Sequence, residues 1–257
     1  MIGHLEQSSV FKVGVVNLGV YSLSSIQKIV VGFIISFWAV QAYAAERAPV
    51  LIELFTSQGC SSCPPADALL KHLSKKPNVV ALAFHVDYWD YIGWKDSFAQ
   101  SSFSKRQKTY ARLASRTAVY TPQFMINGQT AIAGSEPRAL KKEISKSSQR
   151  DQTVQISLRS DGNQVQINLN SKMNQKAFKA DVLAVYFIPE ARVAIDRGEN
   201  SGRVMNYSNI VTKIEKIGQW NGQSVLRKTI FSKPDQNLAV IVQLVGQGKV
   251  IAASKLR

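Results

Sequence analysis

The hydrophobic pattern of this chain changes near residue 150, and the change limits the folds that the chain can adopt. Strand-like apolar runs alternate with amphipathic helical segments in the first part, at 50–55, 64–73, 78–86, 97–114, 124–133 and 136–147. Short runs that are apolar throughout are typical of strands buried on both faces. This alternation predicts an α/β domain over residues 46–150.

Only strand-like runs follow, at 153–159, 164–170, 181–188, 209–217, 225–231, 238–245 and 249–254. Asp161-Gly162 and Asn221-Gly222 are turn signals between some of them. Several short strands without a helical period favour two packed antiparallel sheets. We therefore expect an all-β, antiparallel, sandwich-like domain over residues 151–257, with the boundary near 146–152.

The first 45 residues have the features of an export signal. Ile29–Val40 is an uncharged apolar run, and Ala42-Tyr43-Ala44 has the small residues of a cleavage site. The run is shorter than the roughly twenty residues that span a bilayer. We expect a signal peptide over 1–45, a periplasmic or secreted product, and no stable membrane association after processing. An uncleaved membrane anchor is the alternative.

The chain is basic, with 32 Lys and Arg against 17 Asp and Glu and a formal net charge of +15. The excess is spread evenly along the chain from residue 45 onwards instead of forming a tail or a stripe. An even cationic excess is usually a solubility feature. The sequence also lacks a nucleic-acid-binding motif, so we expect no nucleic-acid partner.

The only two cysteines form the motif Cys60-Ser61-Ser62-Cys63 between a buried strand and a helix. A disulfide here would close a very short loop, worth about 2 kcal/mol of chain entropy against about 4.7 kcal/mol for a hundred-residue loop. The pair is therefore poorly placed as a structural staple and well placed for thiol exchange. The helix start should stabilise a thiolate at an exposed Cys60, and a shielded Cys63 should attack the mixed disulfide.

Two other interpretations of the cysteine pair remain open. A copper or zinc site could use His85 or Asp87 as further ligands, although two thiolates alone do not complete a zinc shell. The pair could also be inert and structural. Of the three, thiol–disulfide exchange is our prediction, with no metal and no cofactor.

Longer motifs resemble a known family. They are ELFTSQGCSSCPPAD at 53–67, FHVDYWDYIGW at 84–94, RQKTYA at 106–111, YTPQFMING at 120–128 and RGENSGR at 197–203. Together they resemble a secreted bacterial thioredoxin-like family of unknown function. The resemblance implies a thioredoxin-like fold for the first domain and a redox role outside the cytoplasm.

The resemblance also implies roles for individual residues. Cys60 matches the thioredoxin nucleophile and Cys63 the resolving cysteine. Pro122, preceded by Thr121, matches the cis-proline that faces the motif and exposes a backbone edge to a substrate peptide. Glu53 matches the buried acid that helps to deprotonate the second cysteine, but it is one residue further from Cys60 than in thioredoxins.

In that fold the end of the second strand lies beside the cysteines, which adds His85, Asp87 and Trp89 as candidates for contacts with substrate. His85 or Asp87 could shuttle a proton. Alternatively, His85 caps a strand end and Asp87 anchors a loop. Trp89 lies in an aromatic cluster that either lines a substrate groove or belongs to the core.

These observations lead to one functional prediction and one alternative. The prediction is an exported thiol–disulfide oxidoreductase that acts on protein or peptide thiols and disulfides, with a separate redox partner. The alternative is a non-catalytic thioredoxin-like binding protein that senses redox state or a metal. The reactivity of Cys60 and Cys63 distinguishes the two.

Overall fold

A computed structural model describes residues 48–172, 176–231 and 236–256. The predicted signal peptide, residues 1–45, lies outside the described residues. Within these ranges, no helix has the length and apolar character needed to cross a membrane.

The described ranges contain three α-helices and eleven strands. The helices are α1 (Pro64–Ser74), α2 (Ser101–Leu113) and α3 (Pro137–Ser148). The strands are β1 (Val50–Thr56), β2 (Val79–His85), β3 (Gln123–Ile126), β4 (Thr130–Ala133), β5 (Val154–Asp161), β6 (Gln164–Ser171), β7 (Ala180–Ala194), β8 (Val204–Trp220), β9 (Leu226–Phe231), β10 (Asn237–Leu244) and β11 (Val250–Lys255). Each predicted segment is present, but β7 and β8 are much longer than their apolar runs indicated.

The assembly of these elements differs from the predicted fold class. Strands from both parts of the chain form one eight-stranded mixed sheet in the order β11-β10-β7-β8-β2-β1-β3-β4, and β5, β6 and β9 form a separate three-stranded sheet. The junction is a parallel contact between β2 and β8, where Ala83 pairs with Ile210. The prediction of an α/β thioredoxin-like domain followed by an all-β sandwich is therefore wrong. The described protein is mostly β-structure.

Burial on both faces explains why the later strands extend the large sheet. In β7, Val182 and Ala184 pack towards the three-stranded sheet. Their neighbours Leu183 and Val185 pack into the core that also contains α2 residues. A strand with two apolar faces gains most from a central position, which β7 occupies between β10 and β8.

The two faces of β1 determine which side chains can reach the cysteines. Ile52 and Leu54 pack with Leu70 of α1 on one face. Leu51 and Phe55 pack with residues of α2 on the other face. Because side chains alternate along a strand, Thr56 lies on the α1 face and Glu53 on the α2 face.

Candidate functional site

Cys60 and Cys63 form a disulfide between the end of β1 and the start of α1. Their sulfur atoms are 2.27 Å apart and their Cα atoms 5.4 Å apart. Cys63 immediately precedes α1, and its carbonyl accepts the N–H groups of Ala66 and Asp67. Cys60 is 1% exposed and Cys63 fully buried, so the predicted exposure of Cys60 is wrong. The motif instead presents Ser61 and Ser62 to solvent.

The first helical residues limit how a Cys60 thiolate could be stabilised. Pro64 and Pro65 have no N–H group, so two of the donors that a helix start normally offers are missing. The hydroxyl of Ser62 lies 3.4 Å from the Cys60 sulfur. A serine hydroxyl and the helix dipole are therefore the nearby sources of thiolate stabilisation.

Pro122 lies against the first turn of α1. The Thr121–Pro122 bond is cis, which confirms that prediction. Gly134 donates its N–H to the Pro122 carbonyl at 2.9 Å. A Cβ atom on Gly134 would lie 2.5 Å from Pro122 Cγ and 3.0 Å from Ala66 Cβ. Glycine is therefore needed for Pro122 to approach the helix that begins at the cysteines.

Trp89 connects the segment before Cys60 to the segment before Pro122. Its indole N–H donates to the Thr121 hydroxyl at 2.7 Å. Its Cβ would lie 3.2 Å from a Cβ on Gly59. Tyr91 stacks on the Trp89 ring and is 80% exposed. The structure thus brings Trp89, Thr121 and Pro122 together around the cysteine motif, with an aromatic surface at the edge.

Asp87 and Glu53 make their side-chain contacts with α2 and not with the cysteines. The Asp87 carboxylate accepts a hydrogen bond from the Ser104 hydroxyl in the first turn of α2, and so anchors its loop. Glu53 is fully buried on the α2 face, where it accepts hydrogen bonds from Arg106 and Tyr110, both at 2.7 Å. Burial alone would lower the pKa of Arg106, but the Glu53 carboxylate raises it above its ordinary value. The structure does not bring Glu53 to the cysteines.

His85 lies on the α1 face as half of a buried pair. Its Nδ1 is 2.7 Å from the Asp96 carboxylate, and both side chains are fully buried. Asp96 also accepts the backbone N–H groups of Gln58 and Phe98. Burial alone would raise the pKa of Asp96, but the charge and hydrogen bond of His85, with the two N–H groups, lower it below the ordinary value. The pair therefore keeps an ionised carboxylate inside the protein.

Asp67 is a buried acid that the sequence analysis missed. It lies one helical turn after Cys63. The Thr56 hydroxyl is close enough to lower the pKa of its carboxyl, but the two groups do not form a regular hydrogen bond. Burial raises the pKa of Asp67 to about 7, and the nearby His85 is the largest opposing influence. A signal was available, because Asp67 shares the buried face of α1 with Ala66 and Leu70.

The raised pKa of Asp67 predicts an unusual dependence of stability on pH. The folded protein retains a proton that the unfolded chain releases above pH 4, so this contribution is fully present below about pH 4 and lost as the pH rises to about 7. Between pH 4.5 and 7.5 the loss is about 3 kcal/mol. Urea unfolding at pH 4.5 and 7.5 should show that Asp67→Asn removes most of it. Asp181→Asn, a change at a surface ion pair, should keep the wild-type dependence.

Asn200, about 140 residues after the cysteine motif, forms hydrogen bonds with the backbone just before and at Cys60. It lies in the connection between β7 and β8, within RGENSGR, and is 1% exposed. Its amide donates to the carbonyls of Gln58 and Cys60, both at 2.9 Å. Arg203 donates to the Asn200 oxygen at 3.1 Å and fixes the orientation of the amide. The sequence analysis gave Asn200 no role.

Replacing Asn200 with alanine should make the Cys60 sulfur more accessible to reagents. The two carbonyls would lose their donor, which should lower the free energy of unfolding by about 2 kcal/mol. Alkylation of the reduced protein at pH 7.5, followed by mass spectrometry, should show several-fold faster modification of Cys60. Ser201→Ala in the same loop is the control, because Ser201 is exposed and its hydroxyl donates to the Asp196 carbonyl, away from the cysteines. Equal rates in both variants would contradict the assigned role.

Comparison with known proteins gives a family model and similar structures. A family model described as "Protein of unknown function (DUF1223)" matches residues 51–243. The crystal structure of protein AGR_C_4864 from Agrobacterium tumefaciens is 33% identical, covers 83% of this chain and 96% of its own, and has a TM-score of 0.71. HBP35 of Porphyromonas gingivalis is 14% identical, covers 82% and 75%, and has a TM-score of 0.56, a likeness of fold alone. No protein with a curated description matches.

Proposed function

The chain belongs to the DUF1223 family of proteins of unknown function, and from its own residues we propose that it is an exported thiol–disulfide oxidoreductase. It exchanges disulfides with protein or peptide substrates through Cys60 and Cys63. The observation that carries the proposal is the Cys60–Cys63 disulfide, with a sequence separation of only three, at the start of α1. Such a short loop contributes little chain entropy to stability, which argues for a chemical use of the bond.

The surroundings of the disulfide support the same proposal. Pro122 lies against the first turn of α1. Pro122 is buried and its carbonyl already accepts the Gly134 N–H, so a substrate peptide would approach the disulfide over the exposed Ser61 and Ser62. Tyr91 offers an exposed aromatic surface close by for an apolar substrate side chain. Local features of this kind resemble those of thioredoxins, although the fold of the whole chain is different.

One observation favours the alternative, a non-catalytic protein whose cysteine pair senses redox state. Cys60 is 1% exposed, and a nucleophile must be reached by its substrate. Under the oxidoreductase proposal, the loop that contains Asn200 moves enough to admit a substrate sulfur. Under the alternative, the pair changes state only with small reagents.

A redox titration of the folded protein should show a pair that is easily reduced. Exchange proteins have reduction potentials between about −120 and −270 mV, and structural disulfides of secreted proteins lie below about −300 mV. We expect the Cys60–Cys63 pair to fall in the first range. The measurement is the fraction of thiols alkylated after equilibration in glutathione or dithiothreitol buffers, read by mass. Reduction only below about −300 mV, or only after unfolding, would contradict the proposal.

A further inference from the structure

Buried polar atoms without a hydrogen-bond partner gather beneath the first turn of α1. Within the described residues, they include the Thr56 hydroxyl, both oxygens of Asp67, Nε2 of His85 and the Tyr207 hydroxyl. Thr56 and His85 are direct neighbours in the pairing of β1 with β2. The rings of His85 and Tyr207 have centroids 4.8 Å apart. Buried polar atoms are normally paired, so this cluster needs an explanation.

Cys63 is the reacting group nearest along the chain to this cluster. It has helical backbone angles, and its carbonyl accepts the Asp67 N–H at 3.0 Å. Side chains four residues apart on a helix lie one above the other. The Cβ atoms of Cys63 and Asp67 are therefore about 5–6 Å apart, and Asp67 is the acidic residue nearest to Cys63 along α1.

Cys63 has no route to solvent for a proton. Its side chain is fully buried, as is that of His85 in the cluster, and the partly buried Phe98 packs on the His85 ring. When its disulfide is reduced, the Cys63 sulfur receives an electron pair and becomes a thiolate, which is costly in an apolar environment without a proton or a counter-charge. A proton source inside the protein removes that cost.

The charged and titratable groups that face Asp67 are His85, Asp96 and Tyr207. Asp96 is held by two backbone N–H groups and by Nδ1 of His85. This fixes the imidazole and leaves its Nε2 on the side of the cluster, without a partner. Burial raises the pKa of Tyr207 far above its ordinary value, so the phenol stays neutral.

We propose that Asp67 exchanges a proton with the Cys63 sulfur during thiol–disulfide exchange. In this proposal the buried His85–Asp96 pair acts through Asp67, as fixed charged and polar groups beside its carboxyl. The proposal rests on the proposed function. It transfers to Asp67, on the α1 face, the acid–base role that the resemblance assigned to Glu53. Asp67 occupies a different element and lies after the cysteines instead of before them.

The exchange can be written in both directions with its protons. In the reductive direction, a thiolate of the redox partner attacks the Cys60 sulfur, the Cys60–Cys63 bond breaks, and the electron pair goes to the Cys63 sulfur as protonated Asp67 gives up its proton to it. In resolution, ionised Asp67 takes the proton from the Cys63 thiol. The Cys63 sulfur then attacks Cys60, and the bound thiol leaves as a thiolate.

The test separates the step at Cys60 from the step at Cys63. The reduced protein is mixed with a peptide that contains one internal disulfide, and rapid acid quenching with mass spectrometry follows the mixed disulfide between pH 5 and 9. In Asp67→Asn, formation of the mixed disulfide should be unchanged, and its resolution at pH 7 should slow at least about tenfold, as is typical on loss of a general base. Resolution should recover at high pH, where hydroxide replaces the carboxylate.

Two further variants make the result specific. His85→Gln removes the largest influence that opposes the raised pKa of Asp67, so the pH of half-maximal resolution should rise. Asp181→Asn, the same chemical change at a surface pair, should leave both steps at wild-type rates. Wild-type resolution in Asp67→Asn, or equal slowing of both steps, would overturn the role of Asp67. If the wild type forms no mixed disulfide at all, the proposed function itself fails, and the role of Asp67 fails with it.

Discussion

With Cys63 replaced by serine, the reduced protein should accumulate a mixed disulfide between Cys60 and a peptide substrate. The thiolate of Cys60 attacks the peptide disulfide and forms the intermolecular bond, but a serine hydroxyl at position 63 cannot displace it. The wild type should release the peptide through the Cys60–Cys63 disulfide. Mass spectrometry after acid quenching should show about tenfold or more adduct in the variant than in the wild type.

Cys60→Ser is the matched control for this experiment. It keeps one thiol in the same motif, but that thiol is Cys63, which has helical backbone angles at the start of α1, whereas Cys60 lies in the loop beside the exposed Ser61. We expect little or no adduct from it. An adduct that forms equally well in both single-cysteine variants would show that the roles of nucleophile and resolving cysteine are not distinct. An adduct that forms only on Cys63 would reverse them.

Replacing Glu53 with alanine should lower the free energy of unfolding by about 3–5 kcal/mol. Glu53 is the charge partner of Arg106, which is 9% exposed and has its Nε 2.7 Å from the carboxylate. Arg106 also donates to Tyr110 and to Gln243 of β10, so the network joins both parts of the chain. Without Glu53 the guanidinium would remain buried and uncompensated. Urea unfolding at pH 7 measures the loss.

Two comparison variants test the physical cause of that loss. Glu215→Gln removes a carboxylate from an exposed pair with Lys213 and should change stability by less than about 1 kcal/mol. Glu53→Ala combined with Arg106→Met removes both charges and should recover part of the loss. If Glu53→Ala is as mild as Glu215→Gln, the buried pair does not stabilise the fold. Glu53 lies on the α2 face, so the pH profile of exchange should be unaffected in any folded variant.

The sequence predicted the elements well and their assembly poorly. The run at 238–245 became β10 within one residue at each end, and the run at 181–188 lies in β7, which continues to Ala194. Their continuous apolar character is typical of strands buried on both faces of one sheet. The predicted sandwich would instead bury each strand on one face only. The contact of Ala83 with Ile210 joins distant segments, and no local pattern encodes such a pairing.

Within the site, the sequence predicted the features that depend on neighbouring residues in the chain. The residues themselves predicted the cysteine motif and the helix that follows, and the resemblance to thioredoxin-like proteins predicted the cis bond before Pro122. Glu53 shows the limit of a match by spacing, because a shift of one residue along a strand moves a side chain to the other face of the sheet. The role of Asn200 could not be predicted for another reason, because its hydrogen bond to the Cys60 carbonyl joins residues 140 positions apart in the sequence.

That separation imposes an order on synthesis. At about 5–20 residues per second, the cysteines leave the ribosome on the order of ten seconds before Asn200 does. Until β8 is made, one edge of β2 is unpaired and the carbonyls of Gln58 and Cys60 lack the Asn200 amide. Folds that depend on such non-local pairing form slowly. The two thiols therefore stay accessible to other chains for longer during folding than they would in a fold closed by local contacts.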